Sequence, residues 1–314
     1  MLPTLPYHRL QFQFRTQDSL YLPGYKGSPW RGLFGHCFKT VVCPFNTSRC
    51  QTCLIRQHCY YLQVFETPAS LAQRKTLNGT DHYPHPFILT PPLDRRSTIP
   101  AGETFTSELI LLSPAFSLFP FLVATFDLMG KRGLGPNRSH FELANIQVQQ
   151  SQDWHTLFDA QDDMLQSLPP PQHPSLPTIA PAHLTLQLLT PLRLKTQGQF
   201  THHLPFQLLF QAILRRLKDL ITLYGSPEDN AEGVTDPLTL LTPAALIDCQ
   251  HSDLYWFDVK RFSSRQHRQL AFGGLEGTVT YQGDLAPFLP WLKLGEALHI
   301  GGLTSFGFGK YQIE

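Results

Sequence analysis

Charge is scarce in these 314 residues. Asp, Glu, Lys and Arg make up 16% of them, and 25 basic side chains nearly cancel 24 acidic ones, for a formal net charge of +1. A chain so balanced has no overall field to draw in a polyanion, so any anion site must be a local patch. Long apolar runs are missing too. None reaches the roughly 18 residues that a membrane span needs. The longest candidate, Ala115 to Met129, is interrupted by Ser117, Pro120 and Asp127. The first residues, Met1-Leu-Pro-Thr-Leu-Pro, lack the basic start and apolar core of a secretory signal. The expectation is a soluble, cytoplasmic protein with no membrane partner. In that setting, six cysteines argue against a disulfide framework. There is no Walker motif, no nucleophile elbow and no pair of carboxylates in a helical frame.

What is present is apolar bulk and chain breakers. Hydrophobic residues reach 42%, enough for a real core, and the length suits two domains better than one. The 27 prolines and 23 phenylalanines favour strands and irregular connections over long helical bundles.

Leu10 to Arg15 alternates Leu-Gln-Phe-Gln-Phe-Arg, the period of a half-buried strand. Ser28-Pro29 reads as a helix start, with the helix running to about Val42. Strands follow at Pro86–Thr90 and Glu103–Leu112, then a helix at Ala115–Met129 with Pro120 as a kink point. A glycine turn at Gly130–Gly135 and a strand near Phe141–Gln149 come next. Gln150 to Gln166 is polar and shows no period. A Pro-rich stretch, Pro169 to Pro177, reads as a stiff linker.

The second half starts with a strand at Leu184–Leu194 and a helix at Phe206–Leu223, ended by Gly225. Ser226 to Cys249 is irregular. Strands are expected at Asp258–Gln269 and Gly277–Tyr281, and a short helix at Leu285–Leu294, broken by Pro287 and Pro290. A glycine-rich stretch and a last strand complete it. Both halves thus show one order, strand, helix, two strands, helix, glycine turn, strand. The fold class is α+β, with tandem ferredoxin-like (RRM-like) domains. The boundaries are residues 1–165, a linker at 166–181, and 182–314.

Four features carry chemistry. Cys43-x6-Cys50-x2-Cys53-x5-Cys59 has the spacing of a four-thiolate zinc knuckle inserted in the first domain, structural because no ligand position stays open. Unrelated buried thiols, a redox pair or an iron–sulfur cluster fit the same residues. His36 lies off the apolar stripe of Trp30, Cys37 and Val41, and shares its side of the helix with Lys39 and the small residues Gly32 and Gly35. His titrates near neutral pH and so moves protons. An ordinary solvated histidine is the competing reading. Arg261-Phe-Ser-Ser-Arg-Gln-His-Arg268 reads as a basic strand. It places Arg261, Ser263 and Arg265 on one face and Gln266 and Arg268 on the other, side chains suited to phosphates and sugars. Gly301, Gly302, Gly307, Gly309 and Lys310 form a stretch whose backbone N–H groups suit an anion. A core turn explains it equally well.

Taken in order, several motifs coincide. They are Trp-Arg31-Gly-Leu-Phe-Gly-His36, the Cys segment followed by Tyr-Tyr-x3-Phe-Glu66, Gly-Leu-Gly135, Arg-Phe-Ser-Ser-Arg-Gln266 and Gly-Gly-Leu-Thr-Ser-Phe-Gly-Phe-Gly-Lys310. From about Leu10 to Tyr311 the chain resembles the CRISPR-associated endoribonucleases of the repeat-associated mysterious protein (RAMP) superfamily, in the branch with a Cys cluster after the first helix. The resemblance implies cleavage of precursor CRISPR RNA within the repeat without a catalytic metal. The ribose 2′-OH attacks, leaving 2′,3′-cyclic phosphate and 5′-OH ends. By position, His36 is the implied catalytic residue, with Tyr25, Lys26 and Lys39 as helpers. Arg31, Lys26, the Arg261–Arg268 stretch and the glycine-rich stretch are the implied RNA contacts. CRISPR repeat RNA is the implied partner, with CRISPR effector or adaptation proteins beside it, and the protein a monomer or weak dimer. The alternative is a non-catalytic RNA-binding subunit of the same superfamily.

Overall fold

Period-two alternation makes Tyr7–Thr16 (β1) the middle of the first sheet. Leu10, Phe12 and Phe14 are fully buried, while Gln11, Gln13 and Arg15 turn to the other face. In this computed structural model the described residues are 5–45, 50–67, 83–162, 164–172, 182–225, 237–263 and 268–314. Side chains are described there except at 51, 237–238 and 259–271. Contacts divide the chain into two compact units, one of Pro6–Gln172 and one holding Leu5 with the described residues that follow Gln172.

In the first unit β1 is joined by Phe87–Thr90 (β2), Thr104–Leu112 (β3), Phe141–Gln150 (β4) and Asp153–Asp159 (β5). The order is β2-β3-β1-β4-β5, antiparallel throughout. Helices Gly27–Val42 (α1) and Phe119–Arg132 (α2) carry the other half of the core. Phe14 meets Trp30 edge-on at 5.4 Å, and Phe12 lies 4.1 Å from Phe126. Phe105 and Phe141 close the same aromatic group. Truncating one such ring costs about 3–5 kcal/mol, a large share of a domain's net stability.

The second unit repeats the plan. His183–Leu192 (β6), Asp248–Ser263 (β7), Arg268–Gln282 (β8) and Tyr311–Ile313 (β9) pair in the order β7-β8-β6-β9, again antiparallel. Phe206–Tyr224 (α3) repeats apolar residues at helical spacing, burying Phe206, Phe210, Ile213, Leu217 and Leu220. Leu289–Leu298 (α4) lies beside it, with Phe288 packed edge-on against Phe206 and Phe210. Each unit carries the ferredoxin-like strand order expected from the sequence.

Several boundaries differ from expectation for identifiable reasons. α1 starts at Gly27 with Lys26 as its cap residue, so Pro29 sits inside the first turn, where a missing N–H is harmless. Pro120 and Pro290 likewise open α2 and α4 rather than break them. The polar stretch after Gln150 contains the edge strand β5, paired to β4. The stretch expected as one strand at Asp258–Gln269 is not one: Ser263 pairs with Arg268 across a long antiparallel hairpin. That pairing removes the two-face alternation assigned to it. The glycine turn at Gly130–Gly135 is mostly helix end. A Cβ at Gly130 would meet the Phe141 carbonyl oxygen at 2.0 Å, so this glycine lets α2 lie against β4.

Candidate active site

The face of α1 that lacks large apolar side chains carries His36. The ring is exposed and bonds to nothing among the described residues. Three and four residues on, at spacings that bring side chains together on a helix, sit Lys39 and Thr40. The Lys39 ammonium lies 5.5 Å from the centre of the Tyr61 ring. Tyr61 donates its hydroxyl to Glu66 Oε1 at 3.3 Å, and burial together with the Glu66 charge pushes its pKa well up. Tyr61 is therefore a neutral platform under Lys39. On the other flank, Thr40 Oγ1 donates to the His36 carbonyl at 3.0 Å and accepts a bond from Arg132 Nη2, also at 3.0 Å. Arg132 is exposed, and no carboxylate pairs with it among the described residues. His36 thus sits on a ridge between two held cations.

Arg132 was not a sequence candidate. The one signal available was its place as a basic residue in the last turn of a helix, hidden when the helix is ended at Met129.

The other helpers fare differently. Lys26 is fully buried, and its ammonium donates to the backbone carbonyls of Asp94 and, at 3.0 Å, Arg96. Burial lowers its pKa. It is a structural strut, which corrects the expectation of an RNA contact or catalytic helper. Tyr25 is 5% exposed, with the Arg95 guanidinium 5.8 Å above its ring. Arg31 is half-buried, 4.4 Å over the Phe65 ring, with Nη2 3.3 Å from His85 Nε2. His85 Nδ1 lies 2.9 Å from Thr67 Oγ1, which itself donates to the Tyr83 carbonyl. The hydroxyl must then accept from Nδ1–H, which leaves the Nε2 lone pair facing Arg31. The small face expected beside His36 is half filled: Gly35 is covered by Phe65, whose ring a Cβ would meet at 2.3 Å, while Gly32 is open.

The glycine-rich stretch is tied into its own unit. Gly302 N–H donates to the Arg193 carbonyl, Gly307 N–H to that of Thr304 and Gly309 N–H to that of Pro191. Those three N–H groups are not aimed outward, which corrects the expected N–H cradle. Gly301 and Gly302 are the less covered end, and Lys310 is 7% exposed. Arg261, Ser263 and Arg268 lie in the hairpin strands with side chains outside the described set, and Arg265 and Gln266 lie outside the described residues.

Cys43 follows α1, Cys50 and Cys53 share one turn, and Cys59 is buried. Among the described residues, no three His, Cys, Asp or Glu side chains are gathered as metal ligands. Nor, among the described residues, is any helix long and apolar enough to cross a membrane.

Residues 5–170 match a family model described as an N-terminal domain, and residues 186–311 match that of the CRISPR-associated endoribonuclease Cas6. An uncharacterized protein of Archaeoglobus fulgidus is 23% identical over 301 residues, covering 94% of this chain and 93% of its own. Thermus thermophilus Cas6 superposes with a TM-score of 0.54 at 14% identity, over 100% of both chains. A Cas6 product complex gives 0.55 at 15% identity, over 98% of this chain and 99% of that one. A partial Cas6-RT-Cas1–Cas2 complex gives 0.56 at 15%, and there the chain spans 47% of its relative's length. In the Cas6-RT-Cas1–Cas2 complex it spans 29%. At these identities the structural likeness concerns the fold. Together with the match of residues 186–311 to the Cas6 model, it makes this a CRISPR-associated, Cas6-like protein. The chain belongs to the family of that N-terminal domain, carries a Cas6 endoribonuclease domain at residues 186–311, and is Cas6-like.

Proposed function

We propose that this chain is a metal-independent endoribonuclease that cuts precursor CRISPR RNA within the repeat. The observation that carries the reading is the His36 ring, without a partner among the described residues, between Lys39 and Arg132, in a chain with a Cas6 domain. The ribose 2′ oxygen attacks the adjacent phosphorus. The new O–P bond forms as the bond to the 5′ oxygen breaks, leaving a 2′,3′-cyclic phosphate and a 5′-OH. One proton leaves the 2′-OH and one is delivered to the departing oxygen; His36 moves one of the two. Lys39 and Arg132 offset the negative charge that grows on the phosphate oxygens.

A second reading, an RNA-binding subunit that does not cut, draws on the burial of Tyr25 and Lys26, which removes two of the expected helpers. Repeat RNA incubated in EDTA separates the two. Under the first reading the wild type cleaves, His36→Ala slows cleavage about 10²- to 10⁴-fold, and RNA with a 2′-deoxy sugar before the cut is inert. Binding without cleavage favours the second. Absence of binding even at low salt removes RNA altogether, since phosphate contacts dominate such affinity.

Structural zinc on Cys43, Cys50, Cys53 and Cys59 belongs to the proposal on spacing alone. Native mass spectrometry should find one zinc per chain; its absence makes these four ordinary thiols. The partners proposed are the repeat RNA and CRISPR effector or adaptation proteins, the latter because the solved Cas6-RT-Cas1–Cas2 complexes contain a chain with this fold. The setting proposed is the cytoplasm, as a monomer or weak dimer.

A further inference from the structure

A small hairpin between β6 and α3 builds something that the cleavage chemistry does not use. Lys195–Thr196 pairs with Gln199–Phe200, and the two turn residues, Gln197 and Gly198, both have positive φ, 52° and 82°. That is the geometry of a type I′ turn, whose twist suits a tight hairpin. Its register sets Lys195 directly across from Phe200, with the ammonium 4.9 Å from the ring centre. Arg193, just before the hairpin, places its guanidinium 4.0 Å from the same ring. Past the hairpin, Thr201 turns the chain: its hydroxyl donates to the His203 carbonyl and accepts from the His203 N–H. The turn holds His202 5.0 Å from the Trp256 ring, while Phe200 lies 5.8 Å from that ring.

Trp256 belongs to β7. Its indole N–H donates to Asp258 Oδ1 at 2.9 Å, which fixes the ring by its edge. Across the ladder from Asp258 stands Gly273, where a Cβ would meet the indole nitrogen at 2.7 Å, so the glycine clears room for the ring. Phe200 and His202 are tilted by 44° and 43° to the indole, so neither stacks flat on it. Trp256 and Phe200 stay partly exposed, and Lys195 and His202 are exposed. The carbonyl of Arg193 also accepts the Gly302 N–H, which puts this cluster beside the glycine-rich stretch.

We propose that Trp256, Phe200 and His202, with Arg193 and Lys195, form a platform for an unpaired RNA base and its phosphate. Aromatic faces hold bases without regard to sequence, and cations at their rim take the backbone charge. Double-stranded RNA keeps its bases stacked inside and offers the platform nothing flat. The inference rests on the RNA reading above and adds to it a preference for unpaired nucleotides.

The test compares two probes on the full chain, a short unstructured RNA and a blunt RNA duplex of the same sequence. Trp256→Ala and Phe200→Ala should each weaken the unstructured probe about 10-fold and leave the duplex within about twofold. Trp256→Phe, which keeps a ring, should restore most of the loss. Lys195→Ala should reduce the salt slope for the single strand by about 0.7. A base analogue such as 2-aminopurine should be quenched on binding wild type and not Trp256→Ala. Equal losses on both probes, or no loss on either with wild type binding normally, overturn the platform and leave the endoribonuclease reading intact. A wild type that binds neither probe at low salt overturns both. Melting temperatures recorded alongside separate the platform from a merely packed cluster. A fall in stability with unchanged single-strand affinity, scaled to the folded fraction, counts against it.

Discussion

Nη2 of Arg132 and Oγ1 of Thr40 lie 3.0 Å apart, and this bond ties the last turn of α2 to the turn of α1 that carries His36. Because the Thr40 hydroxyl gives its proton to the His36 carbonyl, it meets Arg132 with a lone pair. The guanidinium is thereby held at Thr40, the residue one helical turn on from His36 along α1. Its remaining N–H groups have no carboxylate among the described residues to occupy them.

Arg132→Ala should therefore lower the single-turnover cleavage rate by up to about 100-fold, while affinity for uncut RNA changes far less. Arg132→Lys keeps the charge but not the fork and should fall between the two. Thr40→Val should reproduce a part of the Ala defect by freeing the guanidinium. If Arg132→Ala shifts affinity and rate by the same factor, the residue only binds.

Gly309 and Gly302 should behave oppositely although they share one motif. At Gly309 φ is +75°, and a Cβ would meet the Ile300 carbonyl oxygen at 1.8 Å. Gly309→Ala must move backbone, and a left-handed non-glycine residue adds about 1–2 kcal/mol of its own. A clear drop in melting temperature is expected. At Gly302 the nearest atom to a Cβ is the Arg193 carbonyl oxygen at 3.6 Å, and the residue is exposed. Gly302→Ala should melt like the wild type. Gly302→Asp should keep its stability and weaken RNA binding by adding an anion next to the proposed RNA path. Wild-type affinity in Gly302→Asp would make the stretch a core turn and no more.

What could be read from the sequence follows from the range of the forces involved. The alternation of Leu10, Phe12 and Phe14 and the helical stripe of Trp30, Phe34 and Cys37 are local patterns, and both elements stand where they predict. The tandem strand order rests on such patterns. The long hairpin was harder, because Asp258–Gln269 reads as a single strand while Ser263 pairs with Arg268. Gly273 and Gly274 are there for close contact, since a Cβ at either would meet a carbonyl oxygen at 2.8 Å, of Phe257 and Leu192 respectively. Gly277, at φ +110°, marks the bulge where the β6 register shifts. For the site, His36 was legible because a helical wheel shows what an exposed face carries. Arg132 was not, because its place depends on how two helices cross. Neither was Lys26, whose carbonyl partners at Asp94 and Arg96 are far along the chain.

Lys26 offers a direct test of that last point. Lys26→Met keeps most of the side-chain length and leaves the Asp94 and Arg96 carbonyls without their charged donor. Hydrogen bonds to charged groups contribute about 1.5–3 kcal/mol each, so loss of the two should make the variant less stable by about 3 kcal/mol or more in urea titrations. Its RNA affinity should keep the wild-type salt dependence once corrected for folded fraction. A lysine that touches phosphate would instead reduce that slope by about 0.7–0.9 on substitution.

His8 should set an acid limb on stability. It is the second residue of β1, 2% exposed, with its ring edge-on to Phe116 at 4.5 Å. Its Nδ1 has no hydrogen-bond partner among the described residues. Burial lowers its pKa from 6.5 to about 4. Between pH 6.5 and about 4 the folded protein thus holds His8 neutral while the unfolded chain protonates it. Between those two values the unfolded state binds more protons, so stability rises with pH across the window. The contribution is complete above pH 6.5, falls as pH drops, and is gone below about 4, where both states are charged. Its ceiling is about 3 kcal/mol. Replacing the ring by an apolar side chain in His8→Leu should flatten the pH dependence of unfolding free energy between pH 6.5 and 4, whatever it does to stability at pH 7. Chemical denaturation of both proteins at several pH values measures it. Parallel curves would mean that other groups carry the acid limb and that His8 takes up its proton inside the fold.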